Sequence, residues 1–167
     1  AVNDGTLDDV VAEAAAAERD GFAAYWAPNI FGLDALTALA VVATKVPRIE
    51  LGTSVVPTYP RHPHAIAQQA HTVAAASGGR FTLGIGLSHK IVIENMFGLS
   101  FDRPVRHLRE YLSVLMPLSR NETANFDGEM YRVHAAVNVK GSDGFGVVVA
   151  ALGEQMLRVT AALADGT

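Results

Sequence analysis

Two short stretches hold most of the side chains in this chain that could meet a ligand. The first, Thr53-Ser54-Val55-Val56-Pro57-Thr58, puts three hydroxyls and their amides around a bend, and such donors suit the edge of a heteroaromatic cofactor. A solvated turn would use the same residues. The second is Gly84-Ile85-Gly86-Leu87-Ser88-His89-Lys90. Its glycines either let a planar ring or an oxyanion approach the main chain or let a helix pack closely on a strand. Gly84-x-Gly86 lacks the third glycine of a dinucleotide fingerprint, and Arg106 stands where that motif would place an acidic ribose ligand. Arg61, His62 and His64, joined by His89 and Lys90, form a basic island that offers countercharge to an anionic cofactor tail. His62-x-His64 has zinc-like spacing, but no third ligand presents itself and Pro63 lies between the two, so no metal site is expected. Ala150-Ala151-Leu152-Gly153 joins an apolar run to a helix start through small side chains, which suits a phosphate resting on free helix amides. Glu94, Asp102 and Glu110 read as helix caps and solvated faces rather than proton-transfer groups, and His71 and His107 as surface or packed helix residues. With no Ser-His-Asp order and no strong acid-base motif, any reaction here is expected to be carried by a cofactor.

The elements that must position these residues alternate. Thr6 caps a first helix with Asp8 and Asp9 in its first turn, and Gly21 stops it. Phe22 to Trp26 reads as a strand, Asp34 caps a helix from Ala35 to about Lys45, and Ile49 to Val56 forms the next strand. A helix from Pro63 to Ser77 ends at Gly78-Gly79, the strand Phe81 to Leu87 follows, and Asp102 with Pro104 starts a long amphipathic helix ending near Ser119. Residues 120–145 read as a surface hairpin inserted outside the core, turning at Asp127-Gly128. Val147 to Leu152 is a fourth parallel strand, Gly153 opens a helix to about Ala164, and Asp165-Gly166-Thr167 leads into another strand. The strands are apolar runs without clean polar alternation, as in sheets buried on both faces, so the fold class is parallel α/β. Such folds carry their sites at the carboxyl ends of the strands, where both stretches lie.

Composition narrows the function. The 167 residues are 50% hydrophobic, enough for one domain with a sizeable core. Thirteen basic against seventeen acidic side chains give a net charge of −4, which argues against nucleic acid or an anionic membrane as main partner. The absence of cysteine excludes disulfides and thiolate chemistry within these residues and is compatible with a reducing cytoplasm, the expected location.

Gly21-Phe22, Asp34 to Ala40, Leu51 to Pro63, Gly79 to Gly86, Ser100 to Pro104 and Ala164 to Gly166 together resemble the bacterial luciferase-like monooxygenase superfamily, in particular the actinobacterial branch that uses the 8-hydroxy-5-deazaflavin coenzyme F420 in place of FMN. The resemblance implies a TIM (β/α)8-barrel type fold, present here as a partial barrel of about strands 2 to 5, in a single domain over residues 1–167 truncated at both ends. It further implies hydride transfer between the deazaflavin and a small organic substrate, and a homodimer. By the same likeness the strand from Leu51 to Val56 carries a bulge with a non-prolyl cis peptide at Ser54-Val55 against the ring, Thr58 faces the pyrimidine edge, Gly86, Leu87 and Ser88 approach its other side, and Ala150, Ala151 and Gly153 contact phosphate. Asn29 and His89 are the candidate catalytic residues. Pro28-Asn29 and His89 replace the Asp-His pair and the Glu of the sugar-phosphate dehydrogenase branch, so sugar oxidation is not expected. The alternatives within the superfamily are an FMN-dependent monooxygenase and a non-catalytic flavin-binding protein or inactive fragment.

Overall fold

The computed structural model describes residues 5–167; the first four residues of the expected domain lie outside the described residues. The chain runs α1 (Leu7–Arg19), β1 (Ala24–Ala27), α2 (Ala35–Lys45), β2 (Glu50–Thr53), β3 (Val56–Pro57), α3 (Pro63–Ser77), β4 (Phe81–Gly86), α4 (Pro104–Ser119), β5 (Ala124–Asp127), β6 (Arg132–Ala135), β7 (Gly146–Ala150) and α5 (Glu154–Leu163), with a π-helical turn at Val92–Met96. β1 pairs with β2, β2 and β3 both pair with β4, and β4 pairs with β7, all in parallel. A parallel bridge from Val148 to Gly166 begins one more strand, as the Asp165-Gly166-Thr167 pattern foretold. Strands adjacent in sequence order with helices between them form the wall of a (β/α)8 barrel, here an open arc rather than a closed one.

Local signals fix most helix ends. Thr6 and Asp9 form a reciprocal capping box on α1, and Asp34 accepts from the Thr37 amide to cap α2. α3 is capped by the imidazole of His62, whose Nδ1 accepts from the His64 amide at 3.2 Å, and it ends at Gly78 with φ 65°. The His-x-His pair thus serves as a helix start. Asp102 does not cap α4; Arg103 holds the cap position with φ 49° and Pro104 follows. The apolar faces of α2, α3 and α4 close over the sheet through Leu36, Leu39, Ile66, Leu108, Leu112 and Leu115, which meet Leu51, Leu83 and Ile85 in one core.

The expected single strand Ile49 to Val56 is broken in two. From Gly52 to Val56 the chain takes four steps, while the facing stretch from Thr82 to Ile85 takes three, so one extra residue bulges out between β2 and β3. The cis peptide Ser54-Val55 lies in this bulge. Thr53, fully buried, spans the gap. Its hydroxyl donates to the Gly84 carbonyl at 2.8 Å and accepts from the Gly84 amide at 2.9 Å, standing in for the missing ladder bonds. A Cβ at residue 84 would lie 1.8 Å from the Thr53 carbonyl oxygen, and one at residue 86 would lie 2.7 Å from Val55 Cγ2. Both glycines of Gly-x-Gly are therefore required by the bulge on the neighbouring strand, a reason distinct from nucleotide binding and from helix packing.

Behind the bulge, Thr58 Oγ1 lies 2.9 Å from His107 Nε2 on α4. The His107 ring stacks on Tyr59 at 3.8 Å between centroids and touches Tyr111 and Tyr131. Burial pushes its imidazole down to about 4, partly opposed by Glu110. Glu110 is buried and accepts from the amides of Glu129, Met130 and Tyr131, so it holds the tip of the β5–β6 hairpin and is not a solvated helix-face residue. Arg103 and Arg106 both pair with Glu129 on that tip. The hairpin is less of an excursion than the sequence suggests, because Ala124, Val133 and Val137 belong to the core. His71 is likewise buried: its Nε2 donates to the Leu118 carbonyl at 2.8 Å, which leaves Nδ1 to accept from Ser142 Oγ at 2.7 Å in the neutral ring.

Three outcomes follow from this geometry. In urea denaturation Gly84→Ala should cost about 3 kcal/mol or more by overpacking, whereas Gly146→Ala, whose Cβ would meet only Thr82 at 3.7 Å, should stay within about 1 kcal/mol. Thr53→Val strands two buried backbone groups and should cost about 3 kcal/mol; a loss below 1 kcal/mol would mean the hydroxyl does not bridge the bulge. Unfolded His107 takes up its proton near the ordinary imidazole value of about 6.5, folded His107 only near 4. Its contribution is thus complete above about pH 6.5 and is lost as pH falls toward 4, a change of about 3 kcal/mol. Comparing urea midpoints at pH 7 and pH 4.5, His107→Gln should show a flatter pH dependence than the parent; parallel curves would remove His107 from the acid response.

Candidate functional site

At the carboxyl ends of the strands the chain encloses two open cavities. One, of about 600 Å³, lies between the loop after β1 (Pro28, Asn29, Ile30, Phe31), the bulge (Ser54, Val55), Pro57, Pro60 and Arg61, and the segment after β4 (Ser88, His89, Val92, Phe97). The other, of about 610 Å³, lies between Val55, Gly86, Leu87, Ser88 and His89 on one side and Ala150, Ala151, Leu152 and Met156 on the other, with Phe101 and Thr167 at its rim. Val55, Ser88 and His89 line both, so the bulge and the end of β4 form a partition with one cavity on each side.

The structure thus brings together Ser54, Val55, Gly86, Leu87, Ser88, Ala150 and Ala151 from three consecutive strand ends. Gly86 and Ala150 are paired in the sheet, and with Ala151 they leave a floor almost free of side chain next to Val55. Gly153 lies just beyond, at the start of α5 with φ 80°. No side chain caps that helix, and its first residue, Glu154, pairs with Arg158 at 2.6 Å. Thr58 is not brought to either cavity: its side chain is fully buried and its hydroxyl is taken by His107. Asn29 lines the first cavity with its Oδ1 committed to the Ala35 amide at 3.0 Å, which ties the β1 loop to the start of α2. His89 lines both cavities, and its carbonyl accepts from Val92 and Ile93 to begin the π-helical turn.

The basic island is less free than its sequence implies. Arg61 forms an ion pair with Asp34, and Lys90 lies 3.8 Å from Glu94. Burial, with His64 next to it, holds the His62 imidazole below its ordinary value, and the ring meets Tyr131 edge-on. Tyr59, between His107 and Phe101, has a buried hydroxyl without a partner among the described residues, and burial followed by the Asp102 charge pushes it up to about 12. Sequence reasoning missed the apolar wall of the first cavity. Ile30 and Phe31 are 53% and 65% exposed, values unusual for such side chains unless something else covers them. Their adjacency in a loop at a strand end was the available signal. Among the described residues no helix is long and apolar enough to cross a membrane.

The whole chain, residues 1–167, matches the family model described as luciferase-like monooxygenase. Over 133 residues it is 35% identical to a Mycobacterium tuberculosis protein named for coenzyme F420-dependent oxidoreductase activity, covering 79% of this chain and 38% of that one. It is 28% identical over 151 residues to 5,10-methylenetetrahydromethanopterin reductase of Archaeoglobus fulgidus, covering 90% of this chain and 45% of the reductase. The fold superimposes on the structure of the coenzyme F420-dependent tetrahydromethanopterin reductase of Methanopyrus kandleri with a TM-score of 0.82 at 24% identity, over 98% of this chain and 52% of the other. The chain therefore spans about half or less of the length of these relatives. An arc of consecutive β/α units with a bulge at its centre, matched end to end by the family model, belongs to the luciferase-like monooxygenase family.

Proposed function

We propose that this chain supplies the ring-binding wall of an oxidoreductase that uses coenzyme F420. The observation that carries the reading is the flat floor of Gly86, Ala150 and Ala151 next to the bulge at Ser54-Val55. A planar tricyclic ring needs a face without projecting side chains and donors at its edge, and the residues present fit that need. Bound there, the deazaflavin would supply hydride exchange with a small organic substrate. Val55 would pack on the ring, the hydroxyls and amides of Ser54 and Ser88 would meet its polar edge, and Leu87 would exclude water. The amides at Gly153 and the start of α5 would take a phosphate of the tail, although Glu154 makes that end less anion-friendly than the sequence suggested. Asn29 and His89 stand at the first cavity, from which a substrate would reach the ring past Val55, Ser88 and His89, the residues common to both cavities. Thr58 acts from behind, through His107, and not by ring contact. The relatives named for coenzyme F420 support the deazaflavin; the family's description as monooxygenase supports FMN as the second reading. A homodimer in the cytoplasm completes the proposal.

The test is fluorescence titration with coenzyme F420 and with FMN, using the parent and Ala150→Leu, a change at an exposed strand end that fills the floor without touching the core. Micromolar binding of the deazaflavin, weakened at least about tenfold in Ala150→Leu, is expected. Preference for FMN transfers the reading to the monooxygenase, and equal binding by the variant moves the ring away from the floor.

A further inference from the structure

We propose that Asp34 is a specificity-determining residue: by neutralising Arg61 it reserves the first cavity for uncharged substrates and turns away anionic ones. The inference rests on reading that cavity as the substrate side of the cofactor site.

Among the described residues lining this cavity, Arg61 is the one permanently charged group. Left alone it would recruit carboxylates or phosphates, since a guanidinium binds them bidentately. It is held in place from two directions, because its amide donates to the Thr58 carbonyl at 3.2 Å and its carbonyl accepts from the Tyr111 hydroxyl at 3.1 Å. Asp34 is equally fixed. Its Oδ1 accepts from the amide and hydroxyl of Thr37 at 2.9 and 2.8 Å, which leaves Oδ2 for the guanidinium. Arg61 and Asp34 side chains are only 20% and 31% exposed, so solvent screens the pair little and the charge the cavity presents is close to zero. Around it stand Ile30, Phe31, Val92 and Phe97, and the polar groups that remain are Asn29, Ser54, Ser88 and His89. Because Asn29 Oδ1 is occupied by the Ala35 amide, the amide nitrogen is the free end of that side chain. An apolar cavity with hydrogen-bond donors and a masked cation fits an uncharged organic molecule carrying a carbonyl or similar acceptor.

Acetophenone and benzoate, close in size and different in charge, test this. Binding to the protein without cofactor is followed through the amide NMR shifts of Ser88, His89 and Val92, so the outcome is independent of whether coenzyme F420 binds. In the parent, acetophenone should bind at least about tenfold more tightly than benzoate. Asp34→Asn keeps an N-cap for α2 but removes the countercharge; its benzoate affinity should rise about tenfold while its acetophenone affinity stays within about twofold. Asp34→Ser, another good cap, carries the same expectation if the first variant folds poorly. Equal affinity for the two probes in the parent, or no gain in benzoate binding in the folded variant, overturns the proposal.

Discussion

A parallel ladder that gains one residue on one side has an N–H and a C=O with nothing opposite them, deep in a sheet that water does not reach. In this chain the Thr53 hydroxyl answers both groups of Gly84 at once. Much of the candidate site descends from that pair of hydrogen bonds. It permits the bulge, which turns Ser54 and Val55 toward the cavities instead of continuing the strand. The bulge in turn forbids a side chain at residues 84 and 86, and the second of those absences helps to leave the floor flat.

Three buried polar groups follow one logic: each is tied to a segment that would otherwise be free to move. Glu110 gathers three amides of the hairpin tip, His71 joins the end of α4 to Ser142, and His107 meets the hydroxyl of Thr58 directly after the bulge. A buried polar group is costly unless its partners are complete. These side chains consequently fix loops and segment ends more firmly than apolar contacts would, because a shifted segment leaves a donor or acceptor unpaired.

The rhythm of strands and helices was legible because most helices carry a local stop or cap, Thr6, Asp34, Pro63 and Gly78 among them, and because the strands are short apolar runs. The strand ends at which the two cavities open were legible for the same reason, as was the start of a further strand at Asp165 to Thr167. Neither Thr58 nor Glu110 could be read correctly. Composition and spacing say which residue types are near a strand end or on a helix, but not which neighbouring element comes to claim the hydroxyl or the carboxylate. The break between β2 and β3 was hidden for a related reason, since Leu-Gly-Thr-Ser-Val-Val has the apolar character of an unbroken strand and the extra residue shows only against its partner. Bulge and cis peptide together were implied by family likeness alone.

The Glu110 clamp also makes the α4–β5 corner a ruler. From Glu110 to Ser119 the helix advances nine residues, about 14 Å at 1.5 Å each; from Ala124 to Gly128 the strand returns four steps, about 13 Å at 3.3 Å each. The outward and return paths match, and only residues 120–123 lie between them. Surface connections ordinarily accept an added or deleted residue. This one is tied down, with the Glu122 amide donating to the Pro117 carbonyl and the Asn121 side-chain amide to the Ser142 carbonyl; a length change that its turn did not absorb would slide the wrong amides over the carboxylate and carry Tyr131 away from His107, so the corner should tolerate such a change less well than an untethered loop.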